Sequence, residues 1–130
     1  MKKLIITGHG KYGSAIKEVI EFIAGDQLNI IYCDFLGNQS EKDLENQYIA
    51  IIEESDDEKI FICDIPGATP FRIAAMLTKK YNNIYVIGGV NVSAILEIIF
   101  HLENLNANEI LKDLENITKK TVIRFNAKGV

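Results

Sequence analysis

Apolar residues follow two patterns along this chain, and the two patterns alternate. Short, nearly continuous apolar runs rich in β-branched side chains are typical of buried strands, and they occur at residues 4–6, 28–35, 59–65 and 83–87. Between these runs, apolar residues recur every three or four positions, which predicts helices over 14–24, 40–54, 69–80 and 93–102. A helix over 108–118 and a short strand over 121–125 are predicted to complete the chain.

This order of strands and helices predicts an α/β fold. Units of strand, helix and strand connect parallel strands by right-handed crossovers, so we expect one doubly wound, mainly parallel sheet with helices on both faces. We expect the strand order 2-1-3-4, with the short last strand antiparallel. In that order, the carboxyl ends of strands one and three flank the crevice where open α/β sheets bind ligands.

Length and composition are those of a globular domain. The chain has 130 residues, of which 48% are apolar, and we expect a single domain over 1–130. The net charge is −4 with both signs interspersed, and the sequence lacks a Lys/Arg stripe with interleaved aromatic residues that would follow a phosphate backbone. Nucleic acid is therefore not expected as a partner.

The N-terminus and the cysteines indicate the compartment. The chain begins directly with a strand, without a signal-type apolar region, and its apolar runs are far shorter than the ~18 residues of a membrane span. Cys33 and Cys63 each lie in an apolar run and are expected to be buried free thiols, with a disulfide as the less favoured alternative. These features favour a cytoplasmic protein.

A histidine and an aspartate are placed at the ends of two predicted strands. His9 lies between Gly8 and Gly10, which relax the backbone where strand becomes loop. Asp64 ends the third strand, so the order 2-1-3-4 would make its carboxylate face His9. A carboxylate that accepts a hydrogen bond from one ring nitrogen fixes the tautomer and leaves the other nitrogen nucleophilic.

A helix start adds a third chemical element. Thr69 and Pro70 open the helix over 69–80, where the threonine hydroxyl is expected to cap free amides and proline fits the first helical position. Such a helix end can hold an anion, especially phosphate, and the Thr69 hydroxyl would be a further donor. Together the three elements suggest phosphoryl transfer through phosphohistidine, with no metal or cofactor required by any visible ligand set.

Three loop motifs resemble those of one known family. They are Gly8-His9-Gly10, Asp64 with Pro66-Gly67-Ala68-Thr69-Pro70-Phe71, and Gly88-Gly89-Val90-Asn91. In this order, over nearly the whole chain, they resemble the mannose-type IIA component of the bacterial phosphoenolpyruvate-dependent sugar phosphotransferase system, whose sugars are mannose, fructose, sorbose and N-acetylgalactosamine.

The resemblance implies a function, a site and partners. The histidine matching His9 takes a phosphoryl group from HPr and passes it to a IIB domain, which phosphorylates the sugar entering through the membrane IIC and IID subunits. His9, Asp64 and Thr69 are then the catalytic residues, and the active-site loops contain Gly8, Gly10, Gly67, Ala68, Pro70 and Phe71. The resemblance also implies a homodimer that exchanges its last strand between subunits.

The chain departs from the family pattern in one loop. The usual loop reads as two glycines, serine, proline, phenylalanine and asparagine, whereas here Ala68, Thr69 and Arg72 replace the second glycine, the serine and the asparagine. Threonine keeps the hydroxyl, and Arg72 is expected to alter contacts with phosphate or with a partner. Because the chain ends without a IIB domain, we expect its acceptor to be a separate polypeptide.

Two alternatives remain open. Gly8, Gly10 and Gly13 fit the dinucleotide fingerprint G-x-G-x-x-G after a strand, with Asp34 near the end of the second strand. Against a dinucleotide-binding module, the chain has no room for a second mononucleotide half and a substrate domain. The other alternative is the related phosphoryl-donor domain for dihydroxyacetone kinase, which shares the fold and the histidine but differs in the loop at 69–71.

Two further polar residues have structural interpretations. Asn91 either supports the turn before the next helix or lines the crevice, and the sequence favours neither. His101 falls near a helix end without an acidic or thiol partner at metal-like spacing, so we expect it to lie at the surface or cap a helix.

Overall fold

One sheet of four parallel strands forms the centre of the computed structural model, which describes residues 1–126 and Lys128. Its order is β2-β1-β3-β4, so the predicted order is confirmed. The strands are β1 (Lys2–His9), β2 (Ile30–Phe35), β3 (Glu58–Cys63) and β4 (Ile84–Gly88). Strands β1 and β3 are neighbours, and their carboxyl ends therefore lie side by side.

Five α-helices of the described part of the chain surround the sheet, in the places that the apolar spacing predicts. They are α1 (Tyr12–Ala24), α2 (Glu41–Glu53), α3 (Thr69–Leu77), α4 (Val92–Ile99) and α5 (Ala107–Lys120). Two of them begin with reciprocal capping boxes: the Ser40 hydroxyl accepts from the backbone N–H of Asp43, and the Asp43 carboxylate accepts from the backbone N–H of Ser40. Asn106 and Glu109 do the same for α5.

The sheet is covered on both faces, which explains its nearly continuous apolar strands. Along β1, Leu4 and Ile6 pack in a core layer with residues of α1, α4 and α5. Ile5 belongs to the opposite layer, with residues of α2 and α3. Successive side chains of a strand alternate between faces, so Thr7 and His9 follow Ile5 on the α2 and α3 side of the sheet.

The C-terminal third differs from the prediction in two places. Helix α4 ends at Ile99 rather than at 102, and a short 3₁₀ turn, Leu102–Asn104, follows it. Helix α5 continues to Lys120, and residues 122–126, all within the described part of the chain, belong to neither a helix nor a strand. A strand needs a neighbour to bond with, and this segment finds none among the described residues, so the predicted strand over 121–125 is not formed here.

The helices are short or charged. Within residues 1–126 and Lys128, the helices are all too short or too polar to cross a membrane.

Candidate active site

The end of β1 is held in place by backbone hydrogen bonds to β2. The Gly10 N–H donates to the Phe35 carbonyl at 2.7 Å, and the Phe35 N–H donates to the Gly10 carbonyl at 3.2 Å. Gly10 has φ +58°, in the left-handed region that glycine adopts without strain. These bonds fix the backbone immediately after His9, whose ring lies 6.2 Å from that of Phe35, centroid to centroid.

Gly8 allows β1 and Asp64 to approach each other closely. A Cβ at this position would lie 2.6 Å from Cγ of Asp64 and 2.8 Å from a ring carbon of Tyr12, which is closer than real Cβ contacts. The glycine before the histidine is therefore required by packing: only a residue without a side chain leaves room for the carboxylate.

His9 and Asp64 are in direct contact at this end of the sheet. Nδ1 of His9 lies 2.7 Å from Oδ2 of Asp64, and the backbone N–H of His9 donates to the same oxygen at 2.9 Å. The other oxygen, Oδ1, accepts from the backbone N–H of Ile65 at 2.8 Å. The predicted juxtaposition of the two side chains is confirmed.

The environment of Asp64 keeps its carboxyl group ionised. Burial is the largest single influence and raises its pKa, but the hydrogen bonds from the His9 backbone, the His9 ring and the Ile65 backbone together outweigh it and lower the pKa below its usual value. An ionised carboxylate can only accept hydrogen bonds, so Nδ1 of His9 is the protonated nitrogen. Nε2 then carries the lone pair.

The pair is asymmetric in its exposure. The Asp64 side chain is 11% exposed, whereas the His9 side chain is 46% exposed. The orienting group is therefore shielded, while the imidazole is open to a large reactant such as another protein.

The loop after β3 leads into α3 through Gly67, which has φ +79°. The prediction that Thr69 caps α3 is wrong. Ala68 is the N-cap residue: it has extended backbone, and its carbonyl accepts the first helical bond from the N–H of Arg72 at 2.8 Å. Thr69 and Pro70 are the first helical residues, and alanine has no side-chain acceptor for the first-turn amides.

The Thr69 hydroxyl pairs with Arg72 instead. Nη2 of Arg72 donates to Oγ1 of Thr69 at 3.0 Å, and the same nitrogen lies 3.9 Å from a carboxylate oxygen of Glu41 on α2. Since Oγ1 accepts from Arg72, the single hydroxyl proton of Thr69 is available to another acceptor. Arg72, which stands where the family usually has asparagine, thus contacts Thr69, a residue of the predicted site.

The loop after β4 supports the site from the side. A Cβ at Gly88 would lie 3.0 Å from Cδ2 of Phe71 and 3.2 Å from backbone atoms of Pro66, so the glycine lets the α3 loop pack on the strand end. Phe71 is half-buried there. Asn91 caps α4 by accepting from the Ala94 N–H at 2.9 Å. Of its two interpretations, support of the turn is the one that the structure shows.

His101 and Asp34 lie apart from this chemistry. His101 is exposed beside the 3₁₀ turn, as predicted. Asp34 accepts from the backbone N–H of Ser14 at 2.8 Å and from the Ser14 hydroxyl. A Cβ at Gly13 would lie 2.9 Å from backbone atoms of Cys33. The dinucleotide-like pattern therefore serves the packing of α1 on β2, and its acidic residue is already occupied by a helix start.

The cysteines are buried and free, as expected. Cys33 and Cys63 form no disulfide within the described residues. Burial raises the pKa of Cys33 to about 11 and that of Cys63 to about 12, so both are thiols at neutral pH. Cys33 donates to the Gln47 side-chain oxygen at 3.1 Å. Within residues 1–126 and Lys128, the structure contains no cluster of His, Cys, Asp or Glu able to hold a metal ion.

Comparison with known proteins identifies relatives of this chain. The family model of the PTS system fructose IIA component matches residues 3–115. The fructose-specific EIIA component of Bacillus subtilis strain 168 is 28% identical over 123 residues, which cover 93% of this chain and 84% of that protein. The mannose-specific EIIAB component of Escherichia coli K12 is 26% identical over 98 residues, or 74% of this chain and 30% of that longer protein.

Solved structures share the fold. An EIIA component from Streptococcus agalactiae superposes with a TM-score of 0.89 at 23% identity, covering 95% of this chain and 97% of that one. A mannose/sorbose-specific IIA subunit from Enterococcus faecalis gives a TM-score of 0.84 at 21% identity, covering 100% and 99%. These matches favour neither dinucleotide binding nor service to dihydroxyacetone kinase. The chain belongs to the family of PTS fructose IIA components, the mannose-type IIA family that its loop motifs resemble.

Proposed function

We propose that His9 carries the phosphoryl group that this IIA component relays in sugar uptake. The observation that carries the proposal is the 2.7 Å contact between Nδ1 of His9 and Oδ2 of Asp64. That contact holds the imidazole with its proton on Nδ1, so that Nε2 carries the lone pair of a ring whose side chain is 46% exposed.

The transfer step follows from this tautomer. The Nε2 lone pair attacks phosphorus of the phosphohistidine on HPr in line with the leaving nitrogen. A new N–P bond forms, the old one breaks, and its electron pair returns to the donor imidazole. Asp64 stabilises the positive charge that develops on the His9 ring while the Nδ1 proton stays in place. In the second half of the relay, the N–P bond at His9 breaks as a nucleophile of the IIB acceptor attacks.

The start of α3 would stabilise the phosphoryl oxygens during both steps. The first turn begins at Thr69, and its N-cap, Ala68, supplies no acceptor that would compete for the amides. A helix N-terminus of this kind favours negative charge. The Thr69 hydroxyl, which accepts from Arg72 and so retains a free proton, is a further donor. Gly10, Gly67, Pro70 and Phe71 shape the loops that carry these groups.

The partners in this proposal are proteins. HPr is the donor and a separate IIB subunit the acceptor, and the membrane IIC and IID subunits are served indirectly, which places the relay in the cytoplasm. Leu36 and Ile65, next in sequence to Phe35 and Asp64, are both exposed. Exposed apolar side chains therefore directly follow two residues of the site, and apolar side chains are what the buried centre of a protein interface contains.

We further propose that the single domain over 1–130 forms a homodimer through its last segment. Val122, Ile123 and Phe125 are exposed. The segment leaves the domain at a fixed point, because the Asn91 side chain donates to the Thr121 hydroxyl at 2.8 Å. The sheet order leaves β2 and β4 as edge strands with unpaired backbone groups. An apolar segment from a second copy could add to such an edge.

The test of the relay is phosphorylation by the upstream chain of enzymes. The protein is incubated with phosphoenolpyruvate, enzyme I and HPr, and its intact mass is measured under alkaline conditions and again after brief acid. We expect one acid-labile phosphoryl group in the wild type and in His101→Ala, the matched variant of the other histidine, and none in folded His9→Ala. Phosphate retained in His9→Ala would refute the assignment.

A further inference from the structure

We infer that Tyr48 is a positioning residue for phosphoryl transfer, because its buried hydroxyl joins β1 to the first turn of α3 and so holds Thr69 in register with His9. The inference rests on the function proposed above. It concerns a side chain that the loop motifs do not include.

The contacts of Tyr48 span the two elements that build the site. Its hydroxyl lies 2.8 Å from Oγ1 of Thr7 and donates to the Pro70 carbonyl at 3.2 Å. Thr7 precedes His9 by two residues and lies on the same face of the sheet. Pro70 follows Thr69 directly. One side chain therefore connects the strand of the nucleophile with the helix start that is proposed to hold the phosphoryl oxygens.

The direction of these hydrogen bonds is determined by their chemistry. A carbonyl can only accept, so the single Tyr48 proton goes to Pro70, and Tyr48 accepts the proton of Thr7. Both Thr7 and Tyr48 are fully buried. Burial raises the pKa of Tyr48, against a smaller opposing effect of the Thr7 hydrogen bond, so the hydroxyl remains a donor over the working pH range.

The ring and the hydroxyl of Tyr48 have separable roles. The ring packs against Phe61 of β3, with centroids 4.9 Å apart, and phenylalanine would keep that contact. The hydroxyl is the part that reaches α3. Its bond to the Pro70 carbonyl ties the first turn of α3, whose N-cap Ala68 has no side-chain acceptor, to the buried core.

The test compares Tyr48→Phe with Tyr81→Phe. Tyr81 also donates its hydroxyl to an oxygen, that of Glu53, but on an exposed surface. The measurement is the single-turnover rate of phosphoryl transfer from phospho-HPr to the folded protein. We expect Tyr48→Phe to reduce this rate about tenfold, because small misplacements of catalytic groups are costly, and Tyr81→Phe to leave it unchanged. A wild-type rate in folded Tyr48→Phe overturns the inference.

A double-mutant cycle separates positioning from a general loss of stability. If Tyr48 acts through the α3 start, Tyr48→Phe will have little further effect on the rate in a Thr69→Val background. Independent, multiplicative effects of the two substitutions would contradict the inference. Should Tyr48→Phe fail to fold, Thr7→Val removes the bond to β1 and keeps the bond to Pro70, and the same rate loss and the same lack of additivity are expected.

The outcomes also distinguish this inference from the function on which it rests. Phosphate retained in His9→Ala would end the proposed relay through His9. A normal rate of transfer onto His9 in Tyr48→Phe would leave that relay intact and remove only the role of Tyr48.

Discussion

One oxygen of Asp64, Oδ2, accepts from both the backbone N–H and the ring Nδ1 of His9. The carboxylate therefore fixes both the position of the histidine backbone and the tautomer of its ring. This double contact depends on Gly8, where any side chain would displace Asp64. The geometry at the end of β1 thus depends on three residues: Gly8 and His9 of β1, and Asp64 directly after β3.

Replacing Asp64 by Asn should slow phosphoryl transfer to His9 strongly. The amide can donate to Nδ1, which would move the ring proton to Nε2 and remove the lone pair from the attacking position. We expect a loss on the order of 10²-fold or more in the rate from phospho-HPr, measured by rapid quench. Asp26→Asn, in the loop after α1 at an exposed position, is the control and should transfer normally. Equal rates in the two variants would remove Asp64 from the mechanism.

The same residue should make stability depend on pH in the acid range. A carboxyl group whose pKa is lowered by folding contributes stability above its unfolded pKa, and that contribution is lost as the pH falls through the folded pKa. The wild type should therefore exceed Asp64→Asn in free energy of unfolding at pH 7, and the difference should shrink below about pH 3.9. Urea denaturation at several pH values measures it. A difference that grows toward low pH would contradict the account.

Gly8→Ala should disturb both stability and transfer. The added Cβ would press on Asp64 and Tyr12, so we expect a loss of about 1–3 kcal/mol in the free energy of unfolding and a slower rate of phosphorylation. Gly37→Ala is the matched control, because a Cβ there would meet no atom of the described residues within 4 Å. That variant should stay within about 0.5 kcal/mol of wild type. Similar behaviour of the two variants would show that the close approach at Gly8 is unimportant.

The contact between His9 and Asp64 can be predicted from the sequence because it follows from the order of the strands. Once β1 lies between β2 and β3, the carboxyl ends of β1 and β3 must be neighbours. His9 ends β1, and Asp64 follows β3 directly. The helix start at Ser40 can also be predicted from the sequence, because its capping box needs only residues three positions apart. The same signal stands at Asn106 and Glu109, so α5 begins before the predicted start at 108.

The start of α3 and the role of Tyr48 could not be predicted, because they depend on side-chain contacts that the local sequence pattern does not indicate. The residues Thr69-Pro70 look like a cap followed by a first helical position, yet the helix begins one residue earlier and Arg72 takes the hydroxyl. Tyr48 fits the apolar stripe of α2 as well as any core residue, and the two bonds of its hydroxyl reach residues 41 and 22 positions away. The sequence offers one signal for this contact: Thr7 is a polar residue in an apolar strand and, once buried, needs a hydrogen-bond partner.

The strand predicted over 121–125 can form only if this segment pairs with the sheet of a second copy of the chain. Ile123→Asp places a charge where the proposed exchange would bury an apolar side chain, so we expect it to shift a dimer toward monomer in sedimentation velocity. Leu28→Asp, at another exposed apolar position that lies before β2, should leave the oligomeric state unchanged. A monomeric wild type at the same concentration would refute the proposed dimer.

The central claim is that Asp64 directs phosphorylation to one nitrogen of one histidine. The most direct test is NMR of the ¹⁵N-histidine-labelled protein after phosphorylation by HPr, with ³¹P detection under alkaline conditions to identify the bonded nitrogen. The account predicts a single phosphoryl group on Nε2 of His9, with Nδ1 still facing Asp64. A phosphoryl group on Nδ1, or on any residue other than His9, would contradict it.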